Sequence, residues 1–163
     1  MRYVLLAILM LAACEVNTMK LTSPDFENNG VIPTKFTCDG EDAVPTLQWD
    51  DVPEGTKSFA LTVLDPDAPM GTWIHWLVAD ISADVREVKG ASPAGSLQVE
   101  NDFKRLDWGG PCPPDKEHRY YFTVYALDVE HLELTKENFV DEVKKHALAS
   151  AELMARYNRP GNQ

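Results

Sequence analysis

Several common functional motifs are absent from this sequence. It has no phosphate-binding P-loop, no dinucleotide fingerprint (GxGxxG), no zinc-protease helix (HExxH) and no hydrolase nucleophile elbow (GxSxG). Basic residues are also scarce, with 15 Lys and Arg against 26 Asp and Glu and a formal net charge of −11. Proteins that bind nucleic acid usually carry a basic patch. Nucleic acid is therefore not an expected partner, and the chemistries of the missing motifs are not expected either.

Cysteine is rare as well. The three cysteines, Cys14, Cys38 and Cys112, form no CxxC pair, so a zinc site is not expected. We expect no other metal and no cofactor. If Cys14 is lipidated, as argued below, an even pair remains, and such a pair can oxidise outside the cytoplasm. A disulfide between Cys38 and Cys112 and two separate free thiols both remain open.

The sequence lacks an apolar run long enough to cross a bilayer as a helix, which takes about 20 residues. Residues 3–13 form a shorter uncharged run behind Arg2, which is typical of a secretory signal. Leu11-Ala12-Ala13-Cys14 resembles a bacterial lipobox, in which cleavage leaves the cysteine first and lipid is added to its sulfur and its new amino group.

These features predict three segments. Residues 1–13 are interpreted as a lipoprotein signal peptide, residues 14–19 as a lipid-anchor tether and residues 20–163 as one domain. The protein would then be anchored to a membrane through Cys14 and face the periplasm or the cell surface. The alternative is that translation starts at Met19, which would give a cytoplasmic protein.

Glycine and proline punctuate the domain, which favours short strands joined by turns. Three strong strands are predicted over residues 57–65, 73–81 and 118–127, and a weaker one over residues 47–52. Residues 135–157 have apolar positions at helical spacing and predict one or two amphipathic helices. Strands followed by a C-terminal helix indicate a mainly β or α+β sandwich rather than a doubly wound α/β fold.

Two polar clusters lie at the ends of strong strands. The first is Asp65-Pro66-Asp67-Ala68-Pro69 with His75, and the second is Gly109 to Pro114 followed by His118-Arg119-Tyr120. Two imidazoles, a phenol and the N–H groups of Gly109 and Gly110 can donate hydrogen bonds to an anion. Asp65 can orient an imidazole or bind an ammonium group. Each residue also has a purely structural interpretation, because buried histidines are often satisfied core residues and Asp before Pro is common in turns.

These clusters, together with Trp73-Ile74-His75-Trp76, resemble the signature blocks of the phosphatidylethanolamine-binding protein (PEBP) family. Residues 36–41 and 49–58 resemble its bacterial, Raf kinase inhibitor-like branch. The resemblance implies a β-sandwich with a large antiparallel sheet, a smaller sheet and peripheral helices. It also implies an anion pocket formed by Asp65, His75, His118 and Tyr120, with Gly110, Pro111 and Pro113 as its wall. Asp67 and Arg119 would brace the loops.

The expected function is binding of a small anion or a phospholipid headgroup, without catalysis. The alternative is a regulatory protein-interaction module, resembling a kinase or protease inhibitor, that uses the same surface; a homodimer is also compatible with the family. The sequence departs from the family pattern at three places. The connection Asp115-Lys116-Glu117 lacks the usual glycine. The segment Met70-Gly71-Thr72 and the stretch over residues 90–107 are both shorter than the family pattern has them.

Overall fold

The computed structural model describes residues 19–162, and within them the chain forms nine β-strands and one α-helix. The predicted signal peptide (residues 1–13), most of the predicted tether and Cys14 lie outside the described residues. The strands are β1 (Lys20–Thr22), β2 (Gly30–Val31), β3 (Leu47–Asp50), β4 (Ser58–Asp65), β5 (Trp73–Ser82), β6 (Glu87–Val88), β7 (Leu97–Val99), β8 (His118–Leu127) and β9 (Ala147–Tyr157). The helix is α1 (Phe139–His146), and Thr34–Phe36 form one 3₁₀ turn.

The strands form two sheets. The small sheet has the order β1-β3-β6, and the large sheet has the order β2-β9-β8-β4-β5-β7. All pairs in the large sheet are antiparallel except the edge pair, in which β2 runs parallel to β9. The expected sandwich of a large and a small sheet is therefore confirmed, with one parallel edge strand that the resemblance did not imply.

The large sheet is covered on both faces. One face packs against the small sheet, where Trp49 of β3 meets Phe59 of β4 with ring centroids 5.3 Å apart. The other face carries a second apolar cluster, to which α1 contributes Phe139 and Val143. Because β4 and β5 lie in the middle of this sheet, both of their faces are buried. Two-sided burial explains why their sequences are apolar at consecutive positions.

The predicted C-terminal helix is correct only in its first part. Residues 139–146 are helical, but residues 147–157 form β9, a full-length partner of β8. Alternate side chains of β9 are buried, namely Ala149, Ala151, Leu153, Ala155 and Tyr157. Alanine, leucine, methionine and glutamate favour helices, but pairing with β8 overrides that preference. No helix between residues 19 and 162 is long and apolar enough to cross a membrane.

A bulge in β5 determines where His75 lies. Val63 of β4 pairs with Trp76, whereas the next residue, Leu64, pairs with Ile74. His75 is therefore an extra residue in β5. Ile74 packs against the helix-side cluster while Trp76 belongs to the core between the sheets, so the bulge breaks the alternation. Such bulges re-aim side chains beside functional sites.

Candidate functional site

A cavity of about 340 Å³ opens at the end of the large sheet where β4 ends and β5 and β8 begin. β4 lies between β8 and β5 and runs antiparallel to both, so Asp65, His75 and His118 meet at the same end of the sheet. The cavity is lined by Asp65, Ala68, Pro69, Met70, Trp73, His75, Phe103, Cys112, Pro113, Pro114 and His118. Most of this lining is apolar, and Met70 is 95% exposed at the mouth. The polar groups lie at the buried side.

Four of the seven predicted site residues line the cavity: Asp65, His75, Pro113 and His118. The other three are buried and do not line it. Tyr120 lies behind His75, with the two rings edge to face and their centroids 5.2 Å apart. Gly110 and Pro111 directly precede Cys112, which does line the cavity.

His118 is held between two carboxylates. Its Nδ1 is 2.7 Å from Oδ2 of Asp65, and its Nε2 is 2.9 Å from Oδ1 of Asp115. A carboxylate oxygen accepts hydrogen bonds, so both ring nitrogens donate and the ring is an imidazolium. Burial lowers the pKa of His118, but the hydrogen bonds to Asp65 and Asp115 raise it by more, so its pKa lies above the usual value. Asp65 also accepts the backbone N–H of Asp67 at 2.8 Å, which fixes the carboxylate.

His75 has the opposite character. Its Nδ1 lies 2.5 Å from the carbonyl oxygen of Gly109, so Nδ1 carries the proton and donates it. Burial lowers the pKa of His75, and the ring is neutral at pH 7. Its Nε2, which has no hydrogen-bond partner in the described chain, is therefore an acceptor. One imidazole of the site is a charged donor and the other a neutral acceptor.

Two buried donors near the cavity have no partner within residues 19–162. They are the hydroxyl of Tyr120 and the indole Nε1 of Trp73. Burial raises the pKa of Tyr120 far above its usual value, so its hydroxyl keeps its proton. Buried polar groups are normally hydrogen-bonded, and exceptions often mark a place for a ligand or water.

The expectation that Gly109 and Gly110 offer free N–H groups is wrong. The N–H of Gly109 donates to the carbonyl of His75 at 3.2 Å, and that of Gly110 donates to Oδ1 of Asp42 at 2.8 Å. The glycines are required for space: a Cβ at Gly109 would overlap the ring of Phe103, and one at Gly110 would overlap Asp42. Their role is close packing behind the site.

The cavity wall around Cys112 is tied down at several points. Cys112 forms a disulfide with Cys38, and their Cα atoms are 5.5 Å apart. The N–H of Cys38 donates to the carbonyl of Pro111 at 3.2 Å, and Nδ2 of Asn162 donates to the carbonyl of Pro113 at 2.9 Å. Prolines add stiffness because their φ angle is fixed. This wall is preformed.

Asp67 and Arg119 brace the loop on the other side, in agreement with the expectation. Asp67 accepts the backbone N–H, Nε and Nη2 of Arg119 at 2.9, 2.8 and 2.7 Å. The hydrogen bonds from Arg119 lower the pKa of Asp67 to about 2. Neither residue lines the cavity.

The sequence did not single out the residues that shape the mouth. Phe103 lies edge-on to both Trp73 and His75, with centroids 5.5 and 5.2 Å apart. Asn101, fully buried, holds this loop by donating to the carbonyl of His75 at 2.9 Å and accepting the N–H of Phe103 at 3.0 Å. The sequence carried no signal for this role, because the burial of Asn101 is visible only in the structure. Among residues 19–162, no cluster of three or more His, Cys, Asp or Glu side chains could hold a metal ion.

Two packed sheets, with a small and mostly apolar pocket and a buried Asp–His pair at one end, define a β-sandwich of the mainly β class. The chain belongs to the phosphatidylethanolamine-binding protein family, whose model matches residues 22–158. This match and the fold confirm the resemblance seen in the sequence.

Relatives with similar sequences come from diverse prokaryotes. The UPF0098 protein of Aquifex aeolicus is 43% identical over 152 residues, covering 86% of this chain and 89% of that protein. The UPF0098 protein YbhB of Escherichia coli is 40% identical over 164 residues, covering 86% of this chain and 100% of YbhB.

Two crystal structures share the fold. CT736 of Chlamydia trachomatis, described as a PEBP homologue, matches with a TM-score of 0.82 at 38% identity, covering 89% of this chain and 100% of CT736. YbcL of Escherichia coli, described as a new member of the mammalian PEBP family, matches with a TM-score of 0.82 at 33% identity, covering 87% of this chain and 99% of YbcL.

Proposed function

We propose that the protein binds small anions, and phosphate esters in particular, in the pocket at the end of the large sheet. One observation carries this proposal: Nε2 of His118, backed by Asp65 on Nδ1, already holds the carboxylate of Asp115 at 2.9 Å. An imidazolium that binds one anionic oxygen in this place can bind another. Because its pKa is raised, His118 keeps its charge at higher pH than an ordinary histidine.

The rest of the pocket favours an ester over a free inorganic ion. Met70, Pro69, Trp73 and Phe103 surround the mouth, and they suit an apolar or neutral substituent on the phosphate. The neutral Nε2 of His75 is an acceptor, which suits an ammonium or hydroxyl group of the ligand. A phospholipid headgroup has this combination of charges, and the family is named for such a ligand.

The test is a titration of the purified protein with inorganic phosphate and phosphoethanolamine, followed by NMR chemical shifts. We expect saturable shifts that are lost in His118→Ala and weakened in Asp65→Ala. Met70→Ser is the matched control, because it changes the same pocket without removing a donor, and its phosphate affinity should stay unchanged. Equal affinities in the wild type, His118→Ala and Asp65→Ala would refute the proposal.

We further propose that this binding involves no turnover of the ligand. Cys112 is the cysteine in the cavity lining, and its sulfur is bonded to that of Cys38. It therefore offers no thiolate nucleophile beside the imidazoles.

A regulatory interaction module is the second candidate, and the exposed Met70 favours it. With Pro69, Trp73 and Phe103, Met70 forms an apolar rim beside His118, and such rims can contact a protein partner. A partner bound in this way would lose affinity in Met70→Ser, the variant that leaves phosphate binding unchanged.

We also propose that the protein is a membrane-anchored lipoprotein facing the periplasm or the cell surface. The lipobox-like Leu11-Ala12-Ala13-Cys14 supports the anchor. The Cys38–Cys112 disulfide supports an oxidising compartment, since disulfides are rare in the cytoplasm.

A further inference from the structure

We propose that Asp115 is an internal ligand of the anion site, and that an incoming phosphate ester must displace its carboxylate from His118. This inference rests on the proposed anion-binding function. It concerns the connection Asp115-Lys116-Glu117, which is the segment where the chain lacks the glycine expected from the family pattern. The contact that defines it is the 2.9 Å pair between Oδ1 of Asp115 and Nε2 of His118.

Asp115 occupies the position that a ligand needs. Nδ1 of His118 is hydrogen-bonded to Oδ2 of Asp65 at 2.7 Å, so Nε2 is the ring nitrogen that remains to bind an anion. The side chain of His118 is 0% exposed although His118 lines the cavity. An external anion therefore reaches this nitrogen only after the Asp115 carboxylate has moved.

The Asp115 carboxylate can move away from His118. Its side chain is 50% exposed, and residues 114–117 are all exposed. Besides His118, its carboxylate accepts only the N–H of the adjacent Lys116, at 3.0 Å, within the described chain. Asp65 is different, because it is buried and also fixes the N–H of Asp67. A rotation of the Asp115 side chain opens Nε2 without moving the disulfide-tied wall.

An intramolecular competitor reduces the affinity of every ligand that needs Nε2 by one common factor. Since Asp115 is half-exposed, solvent screens its interaction, and we expect a factor of about three to ten. Simple charge repulsion behaves differently, because it would weaken a dianion more than a monoanion.

The experiment compares phosphate and acetate titrations of the wild type, Asp115→Ala and Glu117→Ala. Glu117 is the matched control: it is 46% exposed, lies two residues away and carries the same charge, but it pairs with Arg156 at 3.2 Å. We expect Asp115→Ala to tighten both anions by the same factor of about three to ten. Glu117→Ala should change either affinity less than twofold, an estimate for a screened surface charge.

A second readout requires no ligand. Histidine pH titration by NMR should show a lower pKa for His118 in Asp115→Ala than in the wild type, because one of its two carboxylate partners is gone. An unchanged pKa for His118 would overturn the internal-ligand contact. Wild-type-like urea unfolding would show that the variant is folded.

The outcomes separate this inference from the proposed function. Phosphate binding that depends on His118 but is equal in the wild type and Asp115→Ala overturns the internal ligand and leaves the anion site standing. Equal tightening in Asp115→Ala and Glu117→Ala, or tightening that grows with ligand charge, also overturns it in favour of general electrostatics. Binding that appears only in Asp115→Ala supports it. Absence of binding in both overturns both proposals.

Discussion

The Cys38–Cys112 disulfide should provide a large part of the stability of this fold. The two residues are 74 positions apart, so the bridge closes a loop that contains β3 to β7, five of the nine strands described. The chain-entropy model assigns a loop of this length about 4 kcal/mol of stabilisation, through restriction of the unfolded chain. Domains are typically stable by about 5–15 kcal/mol, so this contribution decides how much of the reduced protein is folded.

Removal of the disulfide should leave the core packing and the cavity wall nearly unchanged. Cys38 is exposed and Cys112 is half-buried, so replacing both with alanine leaves no sizeable core cavity. The hydrogen bonds from Cys38 N–H to Pro111 and from Asn162 to Pro113 remain to hold the cavity wall. We therefore expect a large loss of stability and a small effect on the native pocket.

The assay is equilibrium unfolding in urea, followed by tryptophan fluorescence, of the wild type and the double variant Cys38→Ala/Cys112→Ala. We expect the double variant to lose about 4 kcal/mol and the wild type in reductant to lose the same amount. Phosphate affinity of the folded double variant should change less than about threefold, since the wall contacts persist. A stability loss under about 1 kcal/mol would refute the entropic reasoning, and a lost pocket would refute the rigid-wall interpretation. Intact mass measured with and without reductant reports the bridge directly.

Two further predictions concern acid stability and the anchor. The pKa of Asp67 is lowered to about 2 by the hydrogen bonds from Arg119, so the stabilisation from this pair is complete above about pH 4 and is lost as the pH falls towards 2. Asp67→Asn should lower the free energy of unfolding by about 1 kcal/mol at pH 7, a figure that allows for the half-exposed Arg119. The unfolding free energy of this variant, measured in urea, should also change less between pH 4 and pH 2 than that of the wild type. Asp51→Asn, in an exposed pair with Lys20, should show neither effect. Cys14→Ser should move the protein from the membrane fraction to the soluble fraction, and a wild type that is already soluble would contradict the anchor.

The strands were predictable where burial on both faces made the sequence apolar at consecutive positions, as in β4 and β5. The β9 strand was not, because Ala147, Ala151 and Met154 also fall at helical spacing and their neighbours favour helices. The extended form is favoured by the ten-residue strand β8, which within residues 19–162 pairs with β9 on that side. A single sequence does not show which strand lies beside which, so the local preference and the tertiary outcome differ.

The sequence allowed us to predict which polar residues form the candidate site and that they lie at the ends of strands. Asp65 and His118 were expected in polar clusters at the ends of strong strands, and the structure places them in line with the buried residues of β4 and β8. Hydrogen-bond assignments were not predictable, because they depend on distant partners. The N–H of Gly110 is taken by Asp42, which lies 68 residues earlier. The bulge that places His75 is likewise a property of the β4–β5 register.

The connection between Gly110 and His118 combines a rigid half with a movable half, and this explains how a phosphate ester could replace Asp115. Near Cys112 the disulfide and hydrogen bonds fix the wall, whereas Asp115 is exposed. Bound to His118, Asp115 leaves the buried hydroxyl of Tyr120 without a partner in the described chain, although Tyr120 projects from the same face of β8. A phosphate has more acceptor oxygens than a carboxylate, so a phosphate bound at His118 has oxygens left for a second donor. We therefore expect an external phosphate to be favoured over the Asp115 carboxylate where one of its remaining oxygens meets an unpartnered donor, because a buried donor without a partner is costly.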